Sequence, residues 1–200
     1  MRRLTDRDRL FAFMQALGRA ATEPGQVFLT GGATAVLYGW RDTTVDIDIK
    51  LVPDQDEVLR AIPLLKEQLE INVELASPDD FIPVPPNWQD RSPFVAQEGP
   101  LTFRHFDLAS QALAKIERGH MQDVTDVREM LERGLVDRQR LRDDFAGIAP
   151  QLYRYPAIDP ASFQAALEQA LGVESGNVAC RCSFSSPHCC CCRPVAPTRR

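Results

Sequence analysis

Two hundred residues with a 44% hydrophobic fraction and 26% charged residues suit one domain with a small appendage, large enough to bury a core. A formal net charge of −5 speaks against nucleic-acid binding through bulk electrostatics, though it leaves room for a local basic groove. No apolar run approaches the roughly 20 residues of a membrane-spanning helix, and the N-terminal stretch is broken by Asp6 and Asp8, so neither an anchor nor a signal peptide is read and the cytoplasm is the expected compartment.

In chain order, Thr5 or Asp6 caps a first helix that carries Leu10, Phe11, Met14 and Leu17 on one face. "QVFLT", residues 26–30, is a short strand. Gly31 and Gly32 then turn the chain into a short helix, "ATAVLYGW". "VDIDIKL", residues 45–51, alternates apolar and polar, as a half-buried strand does, with Val45, Ile47 and Ile49 on the buried face. Asp54 and Glu57 resemble a capping box for the next helix, which Pro63 is expected to kink or split. "INVELA", residues 71–76, is a third strand with Asn72, Glu74 and Ala76 on one face. The proline-rich segment after it reads as an irregular surface loop, and "FVAQ-EGP-LTFRHF" as a hairpin. Beyond it the chain is helical. Asp107 caps a helix ended by Gly119, a second and a third follow, and Asp159 with Pro160 starts a last one. The expected fold is α/β (α+β), a small mixed sheet with flanking helices over 1–106 and a helical half over 107–172. All six cysteines lie in 173–200, where four adjacent thiols cannot close one tetrahedral site. That segment is read as a disordered tail, although Cys180, Cys182 and His188 could bind soft metals weakly.

The chemistry centres on Asp46 and Asp48. Residues i and i+2 of a strand point to one face about 6.5 Å apart. The two carboxylates therefore repel and raise one another's pKa unless a cation offsets them. Hard oxygen ligands suit Mg²⁺ or Mn²⁺. If the third strand pairs beside the second, Glu74 joins them, and three carboxylates can serve phosphoryl transfer with two metals. Gly31 and Gly32, with the hydroxyls of Thr30 and Thr34 nearby, offer backbone amides at a helix start to phosphate oxygens. Only Lys50, Lys66 and Lys115 are lysines among 23 basic residues.

The stretch "GGATAVLYGWRDTTVDID" resembles the nucleotidyltransferase signature of the DNA polymerase β-like superfamily. The "R-x-T-x-DID" approach, the "VELASPDDFIP" block and "ALAKIERGHMQDVTDV" are similar to a bacterial branch related to AbiEii-type toxins. The resemblance covers roughly residues 25–160 and implies roles by position. Gly31 and Gly32 would contact triphosphate, and Asp46 and Asp48 would bind the metals. Glu74 would be the third carboxylate and a candidate base, with Asp79 or Asp80 as alternatives for it. Lys115 would reach the nucleotide phosphates, and Asp123 or Asp126 would orient Lys115 or the base. The implied activity moves a nucleoside monophosphate from an NTP to a hydroxyl acceptor. The acceptor is an RNA or tRNA end or a small molecule, and an antitoxin protein is a partner of the toxin-like case. The alternative is a catalytically silent nucleotide- or metal-binding module that regulates a partner.

Overall fold

The computed structural model describes residues 3–172. The segment 173–200, read above as a tail, lies outside the described residues, as does its cysteine cluster. Five strands form one mixed sheet in the order β3-β2-β1-β5-β4. They are β1 (Gly25–Thr30), β2 (Asp46–Val52), β3 (Asn72–Leu75), β4 (Phe94–Glu98) and β5 (Leu101–His105). β1 pairs antiparallel with β2 and parallel with β5. β2 pairs parallel with β3, and β4 closes the expected antiparallel hairpin with β5. The helices are α1 (Arg7–Ala20), α2 (Gly31–Tyr38), α3 (Asp56–Gln68), α4 (Leu108–Arg118), α5 (Met121–Glu132), α6 (Arg138–Ile148) and α7 (Pro160–Ala170). None of the described helices is long and apolar enough to cross a membrane.

Apolar periodicity explains two main clusters. One face of the sheet packs Val27, Leu29, Ile47, Ile49 and Phe103 against Leu10, Phe13, Met14 and Leu17 of α1 and Val58, Ile62 and Leu65 of α3. A second cluster joins α4 to α7 through Leu113, Met130, Leu141, Phe145, Phe163 and Leu167. Capping follows the sequence. Asp6, Asp107, Asp137 and Asp159 each accept a backbone N–H from the first turn of their helix, and Gly119 ends α4 in the left-handed conformation.

Several local expectations are corrected. α3 is capped by Gln55 without a side-chain bond rather than by an Asp54–Glu57 box, and it runs unbroken through Pro63. Residue 63 lies in the second turn of a helix whose apolar stripe holds it to the sheet, and that packing outweighs the proline's lost hydrogen bond. Val45 precedes β2 and is 63% exposed, so Ile47, Ile49 and Leu51 alone bury that face. Leu75, at the end of edge strand β3, is 58% exposed. The proline-rich segment is not merely a surface loop. Trp88 stacks on Phe106 at 4.0 Å and meets Phe28 edge-on at 4.6 Å, a third small core. Arg91 from the same segment binds Asp107 and Asp144, each at 3.0 Å, and thereby ties it to the start of α4 and the middle of α6.

Candidate active site

The end of β1, the start of α2 and the middle of β2 meet at one point. Thr30, the last residue of β1, is the register partner of Asp48, and on the other side Asp48 is the partner of Glu74 on β3. Asp46 pairs with Asn72 in the same ladder. Asp48 therefore sits mid-sheet between a strand that ends at Thr30, just before Gly31, and a strand that brings a third carboxylate. Alternation in β2 leaves Asp46, Asp48 and Lys50 half-buried on the face away from α1 and α3.

α2 begins at Gly31 itself, which corrects the expectation of a free two-glycine turn before a later helix. Gly31 has φ +58°, and a Cβ there would strike the Asp48 Oδ2. A Cβ at Gly32 would strike the Thr44 Oγ1. Both glycines are thus required by close approach, and the first brings the helix start against Asp48. The Gly31 N–H donates to Gln111 Oε1 at 3.1 Å, a side chain from α4 whose amide nitrogen donates to the Phe106 carbonyl at 2.9 Å.

The acidic residues differ in setting. The Asn72 amide donates to Asp46 at 2.7 Å and to Glu74 at 3.1 Å, holding those two carboxylates on one side chain. Burial first, then the charges of Asp46 and Glu74, push Asp48 up from 3.8 to about 6, against the pull of Arg118 and Lys115. Asp48 is the group a bound cation would relieve most. Among the described residues no three carboxylate, imidazole or thiolate side chains form a ready cage for a metal ion. A Mg²⁺ ion held by one or two carboxylates together with substrate phosphates would need no such cage. Asp46 and Asp48, with Glu74 at the cleft edge, are the residues that would hold it.

The helical half supplies the cations. Lys115 on α4 is only 6% exposed and donates to Asp123 at 2.9 Å and to Asp126 at 2.7 Å, both on α5. Asp126 is fully buried and also receives the Trp40 indole N–H and the Arg41 guanidinium, each at 3.0 Å. Burial alone would raise the Asp123 carboxyl, but hydrogen bonds from Arg118 and Lys115 hold it down at about 2. Arg118 grips Asp123 with two bonds of 2.7 Å while its side chain stays half-exposed, and its charge acts on Asp48.

A cleft of about 240 Å³ lies between the sheet end and α4, and Thr30, Gly31, Asp48, Glu74, Lys115 and Arg118 all line it. Asp46 flanks it. Asp123 stands behind Lys115. Thr34 is not brought to the cleft: it is fully buried, bonded to the Leu29 carbonyl at 3.3 Å and to His105 Nδ1 at 3.1 Å. Asp79 and Asp80, the alternatives for the third carboxylate, are engaged elsewhere. Asp79 pairs with Lys50 at 2.7 Å, and Asp80 accepts the Ser77 N–H at 2.8 Å. Three further residues of this region, Gln111, Arg118 and Phe81, were not singled out as site residues in the sequence. Gln111 and Arg118 could have been found from their spacing, since 111, 115 and 118 lie on one helical face.

A mixed sheet that sets paired carboxylates beside a glycine-started helix, facing a cationic helix across a cleft, has the layout of a nucleotidyltransferase. The chain belongs to the family described as nucleotidyltransferase of unknown function (DUF6036), whose model matches residues 8–152. No curated protein and no solved structure matches the chain.

Proposed function

We propose that this protein transfers a nucleoside monophosphate from an NTP to a hydroxyl acceptor and releases pyrophosphate. The observation that carries the reading is the position of Asp48, in register with Thr30 on one side and Glu74 on the other, against the glycine that opens α2. Asp46 and Asp48 would hold Mg²⁺ or Mn²⁺, with Glu74 as third carboxylate. When bound, the ion offsets the charge of the transferring phosphoryl group. Glu74 is exposed and stands beside Asp48, so it can take the proton of the acceptor hydroxyl as that oxygen bonds to the α-phosphorus and the bond to the β-phosphate oxygen breaks. Arg118 and Lys115 add positive charge opposite the carboxylates, and Asp123 fixes the position of both.

The acceptor we infer is an RNA end, such as that of tRNA, in a toxin-like cytoplasmic role held in check by an antitoxin, as the similarity to AbiEii-type toxins implies. A net charge of −5 favours a short RNA end or a small molecule over a long RNA surface. One observation favours a second reading, a catalytically silent nucleotide- or metal-binding module. The Gly31 N–H is already satisfied by Gln111, and Lys115 is already paired twice. Incubating the purified protein with Mg²⁺, each labelled NTP in turn and total cellular RNA separates the two. Label transfer that is lost in Asp46→Ala and Asp48→Ala supports the enzyme. NTP binding without transfer to any acceptor supports the silent module, and transfer untouched by both substitutions refutes the site.

A further inference from the structure

The cleft is lined by two kinds of side chain. Asp48, Glu74, Lys115 and Arg118 are charged, while Phe81 and Ala114 are apolar. Phe81 is the unusual member. It is a large aromatic side chain left 55% exposed, in a chain that buries most of its phenylalanines. A half-exposed ring on a mobile loop would mean little, but the turn that carries this one is anchored by several hydrogen bonds. It follows the short 3₁₀ turn Pro78–Asp80, and its N–H donates to the Pro78 carbonyl at 3.1 Å. The Ser77 N–H donates to the Asp80 carboxylate at 2.8 Å. The Asp79 carboxylate takes the Ser77 hydroxyl at 2.6 Å and Lys50 at 2.7 Å, and its carbonyl accepts the Tyr155 hydroxyl at 3.1 Å. The next residue, Ile82, is fully buried in the helical cluster. Two carboxylates that the sequence offers as catalytic candidates thus anchor the turn that sets one exposed aromatic residue at the cleft wall.

We propose that Phe81 is the platform on which the nucleobase of the bound NTP stacks, with the triphosphate lying toward Gly31 and Asp48. This rests on the reading that the cleft takes an NTP. A π-face accepts any base, so the platform contributes affinity and orientation more than base identity. The anchored turn matters because a preorganised backbone lowers the ordering cost of binding.

The test is a set of dissociation constants, measured calorimetrically in Mg²⁺, for ATP, GTP, CTP, UTP and inorganic tripolyphosphate. The proteins are the wild type, Phe81→Ala and Phe81→Trp, with melting temperatures recorded for each. We expect the wild type to prefer at least one NTP over tripolyphosphate. Phe81→Ala should weaken that NTP about 10-fold and leave tripolyphosphate within twofold. Phe81→Trp should retain NTP affinity and gain indole emission that the NTP quenches and tripolyphosphate does not. NTP binding that is unchanged in Phe81→Ala overturns the platform while leaving nucleotidyl transfer intact. An equal loss of NTP and tripolyphosphate with a lowered melting temperature also overturns it, since that is a structural defect. A wild type that binds no NTP refutes both the platform and the reading beneath it.

Discussion

Asp48 on β2 and Glu74 on β3 stand opposite one another across a parallel ladder, so two carboxylates from strands 26 residues apart in sequence share one edge of the cleft. That pairing has a cost the fold bears without a ligand. Burial and the neighbouring charges of Asp46 and Glu74 hold Asp48 at about 6 against an ordinary 3.8. A carboxyl raised on folding stabilises the native state below its unfolded pKa, and that contribution is lost as pH rises through the folded value. The penalty is therefore fully present above about pH 6.

Asp48→Asn removes the charge and keeps the shape. The metal-free variant should be more stable than wild type at pH 8, by up to roughly 3 kcal/mol at 1.4 kcal/mol per pKa unit, with little difference below pH 4. Nucleotidyl transfer should fall on the order of 100-fold or more. Urea midpoints at the two pH values, beside a transfer assay, check both halves. A variant that is less stable than wild type at pH 8 would contradict the electrostatic account.

Divalent metal should compete with the proton for the same group. Mg²⁺ or Mn²⁺ is expected to raise the melting temperature at pH 8, and much less at pH 5, where Asp48 is largely protonated. EDTA should reverse the rise. At a concentration 100 times the dissociation constant the gain is about 2.7 kcal/mol. Asp48→Asn should abolish it. A gain that is equal at both pH values would place the ion elsewhere.

Gly31→Ala combines two faults, a left-handed φ of +58° and a Cβ that meets the Asp48 carboxylate. Gly39→Ala has the first fault alone, at φ +81° with open space around it. The left-handed backbone costs about 1–2 kcal/mol for a residue with a Cβ. Gly31→Ala should exceed Gly39→Ala in destabilisation and should alone impair transfer, because only its Cβ displaces Asp48. Equal losses of stability and full activity in both would show that the close approach does not matter.

What the sequence reveals here depends on how far apart the partners lie. The Asp46–Asp48 face was legible because strand alternation is local, and the Glu74 partnership followed from one assumption about neighbouring strands. The caps at Asp107 and Asp159 were legible for the same reason. The burial of Lys115 was not, since its partner Asp126 is shared with Trp40 and Arg41, 86 and 85 residues earlier in the chain. Thr34 looked available beside the glycines, yet the helix that starts at Gly31 turns it inward to His105. Trp88 sat in a proline-rich stretch that polarity marked as surface, and only the packing of Phe28 and Phe106 shows that it is core.

Lys115→Met tests that buried network. Asp126 has no exposure and would lose one of its cationic partners, and Asp123 would keep only Arg118. Breaking a buried ion pair from one side costs about 3–5 kcal/mol. The double variant Lys115→Met/Asp123→Asn should recover part of that loss, because it removes one of the stranded charges. Denaturant midpoints of the two variants and the Asp123→Asn single variant give the coupling. If Lys115→Met leaves stability unchanged while transfer is lost, Lys115 acts on substrate rather than as the centre of the network.

His105 provides a second pH-dependent group, opposite in sign to Asp48. Burial lowers it from 6.5 to about 4, so it is neutral in the folded protein at pH 7, packed 4.6 Å from the Tyr38 ring and bonded to Thr34. Between those values the unfolded chain binds the proton that the folded one refuses. Stability must therefore fall as pH drops from about 6.5 to about 4, by up to roughly 3 kcal/mol at 1.4 kcal/mol per unit. Over most of that window Asp48 gains stability on protonation, and the two contributions oppose each other in the wild type. His105→Gln should leave the Asp48 trend exposed, with stability rising on acidification from pH 6.5 to 4. Asp48→Asn should leave the His105 trend exposed, with a steeper fall than wild type. Urea melts of the three proteins at half-unit steps resolve the pair, and parallel curves for all three would contradict the burial of both groups.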